Sequence, residues 1–170
     1  MRAFIGIFPP TEICDYVEHI KNKVEKLPIK AKFVEKNNLH ISVTFLGEIR
    51  KEDYLNKIDK VVQSFKKFEV IINGIKLIPN ESFIRVIVLS VVDKENNIIE
   101  IAKKIGGDYK EPHLTLARVK NIFDKASFFK GIKSIKVEER KFLIEKISFV
   151  ESVLTREGPI YRVIKDFFLL

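Results

Sequence analysis

A histidine, an aliphatic residue, a hydroxyl residue and a second aliphatic residue occur in that order twice in this chain. The first copy is Asn38-Leu39-His40-Ile41-Ser42-Val43-Thr44-Phe45-Leu46-Gly47, and the second is Glu111-Pro112-His113-Leu114-Thr115-Leu116-Ala117-Arg118. The copies lie a little under half the chain apart, as a duplication of two lobes would place them. Side chains in a strand alternate between faces, so His40 and Ser42 share one face while Ile41 and Val43 point into a core. His113 and Thr115 share a face in the same way, with Leu114 and Leu116 behind them. Each strand therefore offers an imidazole and a hydroxyl about 6–7 Å apart on one side. If the two lobes face each other, both pairs converge on one cleft.

Imidazole titrates near neutrality, so one copy can be neutral while the other is protonated. That combination is a general base paired with a general acid. The hydroxyls are small donors suited to the non-bridging oxygens of a phosphate. Together they fit metal-free phosphodiester cleavage by in-line attack. A 2′,3′-cyclic phosphate is a favourable substrate, because ring strain helps the leaving oxygen depart. A lone histidine on a strand is more often structural than catalytic. Here the pattern repeats in a chain with only three histidines, and repetition outweighs that base expectation. The third, His19, falls on a helical pattern beside charged residues and reads as solvent-exposed. Zinc normally takes three or four protein ligands, and no His-x₃-His or nearby acidic pattern accompanies either histidine. There is no Gly-x-Ser-x-Gly nucleophile elbow, no phosphate-binding Gly-x₄-Gly-Lys-Ser/Thr loop and no Rossmann fingerprint. No metal and no cofactor are expected.

The elements that must position these residues follow from periodicity and punctuation. Residues 2–8 read as a buried strand stopped by Pro9-Pro10. A helix follows to Leu27, with Thr11 as its cap and Ile13, Val17, Ile20 and Val24 at helical spacing. Residues 31–34 form a short strand and Asn37-Asn38 a turn. Residues 39–46 are a strand, and 51–66 carry a second helical pattern. Residues 68–78 are a strand bent or bulged at Asn73-Gly74. Residues 83–92 are a β-branched strand. Residues 94–105 are a third helix stopped by Gly106-Gly107. Residues 113–119 are a strand and 122–130 a short helix. Residues 141–153 and 160–169 are two more strands, separated by a Gly158-Pro159 turn. Strict βαβ alternation is absent, so an α+β protein with mainly antiparallel sheets is expected.

The chain has 170 residues, 46% of them apolar and 32% charged, which suits one soluble domain spanning 1–170. No apolar run reaches the roughly 18 residues of a membrane span, so no membrane association is expected. The N-terminal apolar stretch is too short for a signal sequence, and a cytoplasmic location is expected. The single cysteine, Cys14, excludes an internal disulfide and a cysteine-based zinc site. Net charge is +8. Such an excess suits a lysine-coated surface or a polyanionic partner such as RNA.

The two motifs, with their flanks and order, resemble the two-histidine (2H) phosphoesterases, and most closely the RNA 2′,3′-cyclic phosphodiesterases, also called 2′-5′ RNA ligases (the LigT/ThpR group). The likeness covers nearly the whole chain. It includes the opening Arg2-Ala3-Phe4-Ile5-Gly6-Ile7, the middle strand Arg85-Val86-Ile87-Val88-Leu89, and the C-terminal strands around 149–152 and Tyr161. The resemblance implies a bilobal fold: two mainly antiparallel sheets, helices outside, and pseudo-two-fold symmetry about a central cleft. It implies His40 as proton donor, His113 as proton acceptor, and Ser42, Thr115 and Arg118 as phosphate ligands. The substrate class implied is RNA with 2′,3′-cyclic phosphate termini, tRNA halves among them, with 2′-5′ ligation as a side activity and a monomer as the working form. Arg118 stands five residues past His113, on the opposite face by strict alternation, so a bulge after Leu116 is needed to turn it inward. Two departures stand out: Ser42 replaces the usual threonine, and Val88 replaces a frequent aromatic residue. Base stacking must then fall to Phe4, Phe8, Phe45 or Tyr161. The rival readings are a 2H esterase for small cyclic nucleotides or 2′-5′ linkages, and a catalytically idle RNA-binding protein.

Overall fold

The computed structural model describes residues 1–170. The strands are β1 (Arg2–Ile7), β2 (Ile29–Phe33), β3 (Ile41–Glu48), β4 (Phe68–Asn80), β5 (Phe83–Val92), β6 (His113–Ile122), β7 (Arg140–Ile144), β8 (Lys146–Thr155) and β9 (Gly158–Phe168). The helices are α1 (Thr11–Glu25), α2 (Leu55–Val62), α3 (Asn97–Ile105) and α4 (Lys125–Ser134). All strand pairings are antiparallel, and their order is β7-β4-β5-β6-β3-β1-β8-β9, with β2 also on β6. The fold is therefore α+β, as the element order predicts. The two expected sheets are halves of one curled sheet. A single pair, Ile41↔Leu114, links β3 to β6, and β2 takes the rest of the same β6 edge through residues 117–122. One lobe thus carries β3, β1, β8 and β9, and the other β7, β4, β5, β6 and β2.

One buried face of this sheet meets the helices. Ile13, Val17, Ile20 and Val24 of α1 recur at i, i+4, i+7 and i+11 and lie on one stripe. Ile98, Ile101, Ala102 and Ile105 recur at i, i+3, i+4 and i+7 and form one stripe of α3. They join Ile5, Ile7, Ile41, Val43, Leu114 and Leu116 of the strands in one hydrophobic core. The opposite face is left free for a site.

Two bulges shape that free face. In the β1–β3 ladder Gly6 faces Ser42 but Ile5 faces Thr44, so Val43 is an extra residue. In the β5–β6 ladder Val88 faces Thr115 but Ile87 faces Ala117, so Leu116 is extra. Each bulge puts two successive residues into the core: Val43 with Thr44, and Leu116 with Ala117 are all buried. The following residue then returns to the histidine face. That residue is Phe45 in one copy and Arg118 in the other.

Several boundaries differ from the sequence reading, each for a local reason. Thr11 is the first helical residue rather than the cap. Pro10 holds the cap position without a side-chain bond, and its carbonyl accepts from Ile13 and Cys14. The 51–66 pattern splits into a 3₁₀ turn at Lys51–Asp53 and the shorter α2, broken at Tyr54. The third helix starts at Asn97, after Asn96 in a left-handed conformation, and the Asp93 carboxylate accepts from the Ile98 N–H at 2.7 Å. The short helix begins at Lys125, where the Asp124 side chain accepts from Ser127 N–H at 3.1 Å. The 141–153 stretch is two strands, because β7 pairs with β4 and β8 with β1, so the chain changes lobe at Glu145. Gly158 opens β9 rather than forming the turn, which lies at Arg156-Glu157.

Gly106 and Gly107 do more than end α3. Both have positive φ. The Thr44 hydroxyl donates to the Gly106 carbonyl at 2.8 Å, with the Asp108 carbonyl at 3.1 Å, and Asp108 bridges to Phe45. The loop is thereby docked on the β3 bulge. A methyl on Gly107 would sit 2.4 Å from the Phe45 carbonyl oxygen and 2.8 Å from Thr44 Oγ1. Gly107→Ala should therefore destabilise the protein by about 2 kcal/mol or more, from strain and collision together. Urea denaturation checks this, and an unchanged midpoint would show that the loop docks loosely.

Candidate active site

His40 stands one residue before β3, and His113 opens β6. Continuing the Ile41↔Leu114 register by one residue each way sets Thr115 across from His40 and His113 across from Ser42. Opposed residues of an antiparallel pair share a face, so both imidazoles and both hydroxyls lie on the side away from the core. Burial follows the same alternation. Ile41, Val43, Leu114 and Leu116 are sealed, while His40, Ser42, His113 and Thr115 are each partly open.

Both rings are held in the same manner. His40 Nδ1–H donates to the Asn38 carbonyl at 2.7 Å, and His113 Nδ1–H donates to the Glu111 carbonyl at 2.8 Å. A carbonyl can only accept, so the proton sits on Nδ1 in each neutral ring and Nε2 carries the free lone pair. His40 Nε2 lies 3.0 Å from Ser42 Oγ. Burial pushes both imidazoles below their ordinary value of 6.5, and the two carbonyl bonds oppose that shift. The charges of His113 and Arg118 lower His40 further, while Lys110 and Lys76 do the same to His113. Arg118 thus acts on His40 across the seam between the lobes. It also acts on Tyr161, whose hydroxyl burial keeps above its usual range.

The surroundings of the two histidines differ. His40 is packed by Phe4 at 4.9 Å between ring centroids, by Tyr161 edge-on at 5.3 Å and by Phe8 at 5.8 Å. Phe4 is only 4% exposed, so it is a seat for His40 and has no face left for a base. Phe45, 46% exposed, and the partly open Phe8 and Tyr161 retain free surface. His113 has cations instead: Lys76 pairs with Glu111 at 3.2 Å, and β5 sets Ser90 across from His113. Val88 on β5 sits across from Thr115 and is fully buried. Nowhere does the chain bring three His, Cys, Asp or Glu side chains together as a metal would require, and no helix is long and apolar enough to cross a membrane.

Two residues of this site escape motif reading. Gly6 faces Ser42, and a methyl there would lie 2.9 Å from the Phe4 ring and 3.5 Å from His40 Cδ2. A glycine inside an otherwise apolar strand is the sequence sign of such a close approach. Asn38 supplies the carbonyl that holds His40, and its side-chain amide donates to the Pro159 carbonyl on β9 at 3.2 Å. Nothing local in the sequence marks that long-range tether.

The family description "LigT like Phosphoesterase" matches residues 7–88. The chain is 36% identical to a Methanocaldococcus jannaschii protein named RNA 2′,3′-cyclic phosphodiesterase, over 98% of this chain and 99% of that one. It is 29% identical to an Aquifex aeolicus protein of the same name, over 99% and 97%. Among solved structures, the TT0787 protein of Thermus thermophilus superposes with a TM-score of 0.80 at 25% identity, covering 99% of this chain and 98% of that one. The Escherichia coli LigT structure with phosphate gives a TM-score of 0.75 at 19% identity, over 99% and 96%, which is a likeness of fold.

The Asn38 tether yields a direct test. Asn38→Ala keeps the backbone carbonyl but frees its segment from β9. It should lower kcat roughly tenfold with KM near native, as loss of orientation does. An unchanged kcat on a phosphodiester substrate would show that the carbonyl alone orients the ring.

Proposed function

Because this chain belongs to the LigT-like phosphoesterase family, we propose that it hydrolyses RNA ends bearing a 2′,3′-cyclic phosphate to a 2′-phosphate, by two-histidine acid–base catalysis. One observation carries the reading: both imidazoles have Nδ1–H held by the carbonyl two residues upstream, so both Nε2 atoms are left for chemistry, that of His40 3.0 Å from the Ser42 hydroxyl. Names given to relatives support the substrate class.

Ser42, Thr115 and Arg118 hold the non-bridging phosphate oxygens. His113 Nε2 accepts a proton from water as its oxygen attacks phosphorus. The bond from phosphorus to the 3′ oxygen breaks in line, and His40 Nε2–H protonates that oxygen. The 2′-phosphate leaves, and proton exchange with solvent resets the pair. The asymmetry of the site supports this division. The leaving oxygen stays on the nucleoside, and the open aromatic surfaces of Phe45, Phe8 and Tyr161 cluster on the His40 side. Attacking water must come from the far side, where His113 lies in the more polar lobe. A 5′-hydroxyl of a second RNA in place of water gives a 2′-5′ linkage by the same transfers. Halves of cleaved RNA, such as tRNA halves, are the matching substrates.

The test is turnover of a short RNA ending in a 2′,3′-cyclic phosphate, in EDTA, with the product identified as the 2′- or 3′-phosphate. His40→Ala and His113→Ala should each lower kcat by about 10²–10⁴ while leaving RNA affinity mostly intact. Full activity in both variants would sink the mechanism. Activity on small cyclic nucleotides alone would favour a 2H esterase of narrower substrate.

The pH dependence follows from the same geometry. kcat/KM reports the free enzyme, which must hold a neutral base and a protonated acid. Both imidazoles are lowered from 6.5 in the free protein. The bell in kcat/KM should therefore centre on the acid side of 6.5. Bound phosphate stabilises imidazolium, so the bell in kcat should move to higher pH. A kcat/KM that rises without limit to pH 9 would leave no role for a protonated histidine.

A further inference from the structure

The phosphate-side cation Arg118 does not stand alone on its face. The β2–β6 ladder sets Lys32 directly opposite Arg118. Opposed residues of an antiparallel pair share a face, with Cβ atoms about 5 Å apart. Lys30 lies two residues back on β2, hence on that face again, about 6–7 Å further on. Both lysines are exposed, and β2 pairs only with β6, so the row ends at an open edge of the sheet. The Lys32 ammonium reaches across to the start of β9 in the other lobe. A methyl on Gly158 would be 3.0 Å from it, and Gly158 begins the strand that carries Tyr161. None of Arg118, Lys32 and Lys30 forms an ion pair, although many other basic residues on this surface do, among them Lys36 with Asp15, Lys76 with Glu111 and Lys141 with Glu69.

From this row we infer a second binding site: Lys32 and Lys30 hold backbone phosphates of the RNA strand upstream of the reacting end, continuing outward from Arg118 across β6 and β2. The inference rests on the proposed reaction and adds to it a track for the polymer. The chemistry fits a single strand. Ammonium groups on flexible stems bind phosphate oxygens as point charges without reading sequence. A row leaving by the sheet edge lets the chain continue into solvent, so RNA length is not limited by the cleft. The track makes the enzyme prefer an oligonucleotide over a mononucleotide with the same cyclic end, and makes that preference sensitive to salt.

The experiment compares the native protein with Lys32→Ala and with the Lys30→Ala/Lys32→Ala double variant. One arm measures binding of a fluorescein-labelled ten-nucleotide RNA by anisotropy between 50 and 200 mM KCl. The other measures turnover of a nucleoside 2′,3′-cyclic monophosphate. The double variant should bind the RNA on the order of tenfold more weakly at low salt. Its log–log salt slope should fall by about 0.7 for each phosphate that the variant no longer neutralises. Turnover of the mononucleotide should stay at the native level. Unchanged RNA binding overturns the track. So does an equal loss of RNA binding and mononucleotide turnover, which would place the lysines in support of the reacting site itself. If the native protein turns over neither mononucleotide nor oligonucleotide, the proposed reaction fails, and the binding arm still decides the track.

Discussion

One strand pair, Ile41↔Leu114, is the interaction on which the site depends. It is the sole register between β3 and β6, where the two lobes meet, and both partners are fully buried. Because strand side chains alternate, sealing these two fixes the direction of the four residues beside them. A slip of either strand by one position would turn its own histidine and hydroxyl, His40 with Ser42 or His113 with Thr115, into the core, where unpaired imidazoles and hydroxyls are costly. The hydrophobic effect at one pair thus selects the register, and the register assembles the chemistry. The remainder of the β6 edge is taken by β2, with the Val34 N–H bonded to the Leu116 carbonyl at 2.9 Å. That bond holds the bulge of β6 at its open side. The buried Lys21 ammonium, bonded to the Val34 carbonyl at 2.8 Å and paired with Glu18, ties the same segment to α1.

The two copies are alike in backbone and unlike in the residue that comes after the bulge. Each has its histidine, its hydroxyl two residues on, and a bulge that buries the next two residues. Each then presents one side chain to the cleft, Phe45 in one lobe and Arg118 in the other. This single difference in type sets an aromatic ring on the β3 wall and a guanidinium on the β6 wall. A symmetric pair of histidines has no preferred direction for proton flow. On the proposed mechanism an unsymmetric pair of walls would supply one, because a nucleotide has an aromatic end and an anionic end. The bulge is what lets a residue five places from histidine take part at all.

Much of this is legible in the sequence, where local rules and tertiary demands agree. The β-branched run 83–92 is a strand over that span, and Asn73-Gly74 is a bulge, with positive φ at Gly74. The alternation around each histidine is readable because one face of each strand is core. The bulge in β6 is demanded by Arg118, but its twin in β3 leaves no such sign, since Thr44 reads as an ordinary outward hydroxyl. It is buried because the loop after α3 supplies carbonyls for it. The break at Glu145 is invisible for a related reason: β7 and β8 are both good strand sequences, and only their partners differ. Asn38 and Gly6 act through residues distant in the chain or through absence of a side chain, and neither leaves a periodic trace.

The electrostatics of the cleft complete the logic. His40 shares a partly dry space with His113 and Arg118, and their positive charges disfavour its own. The free protein therefore resists protonating His40, the proposed acid. A phosphodiester brings one negative charge to this point, and its arrival favours imidazolium where water and cations did not. Binding of the anion and uptake of a proton are then linked: where the pH lies between the free and bound pKa values, the site gains a proton as it gains the phosphate. On the proposed mechanism the acid is armed by the substrate. A neutral ligand of the same shape would leave both histidines neutral, so on the proposed mechanism selection for phosphate lies in protonation as well as in the hydroxyls and guanidinium proposed to hold it.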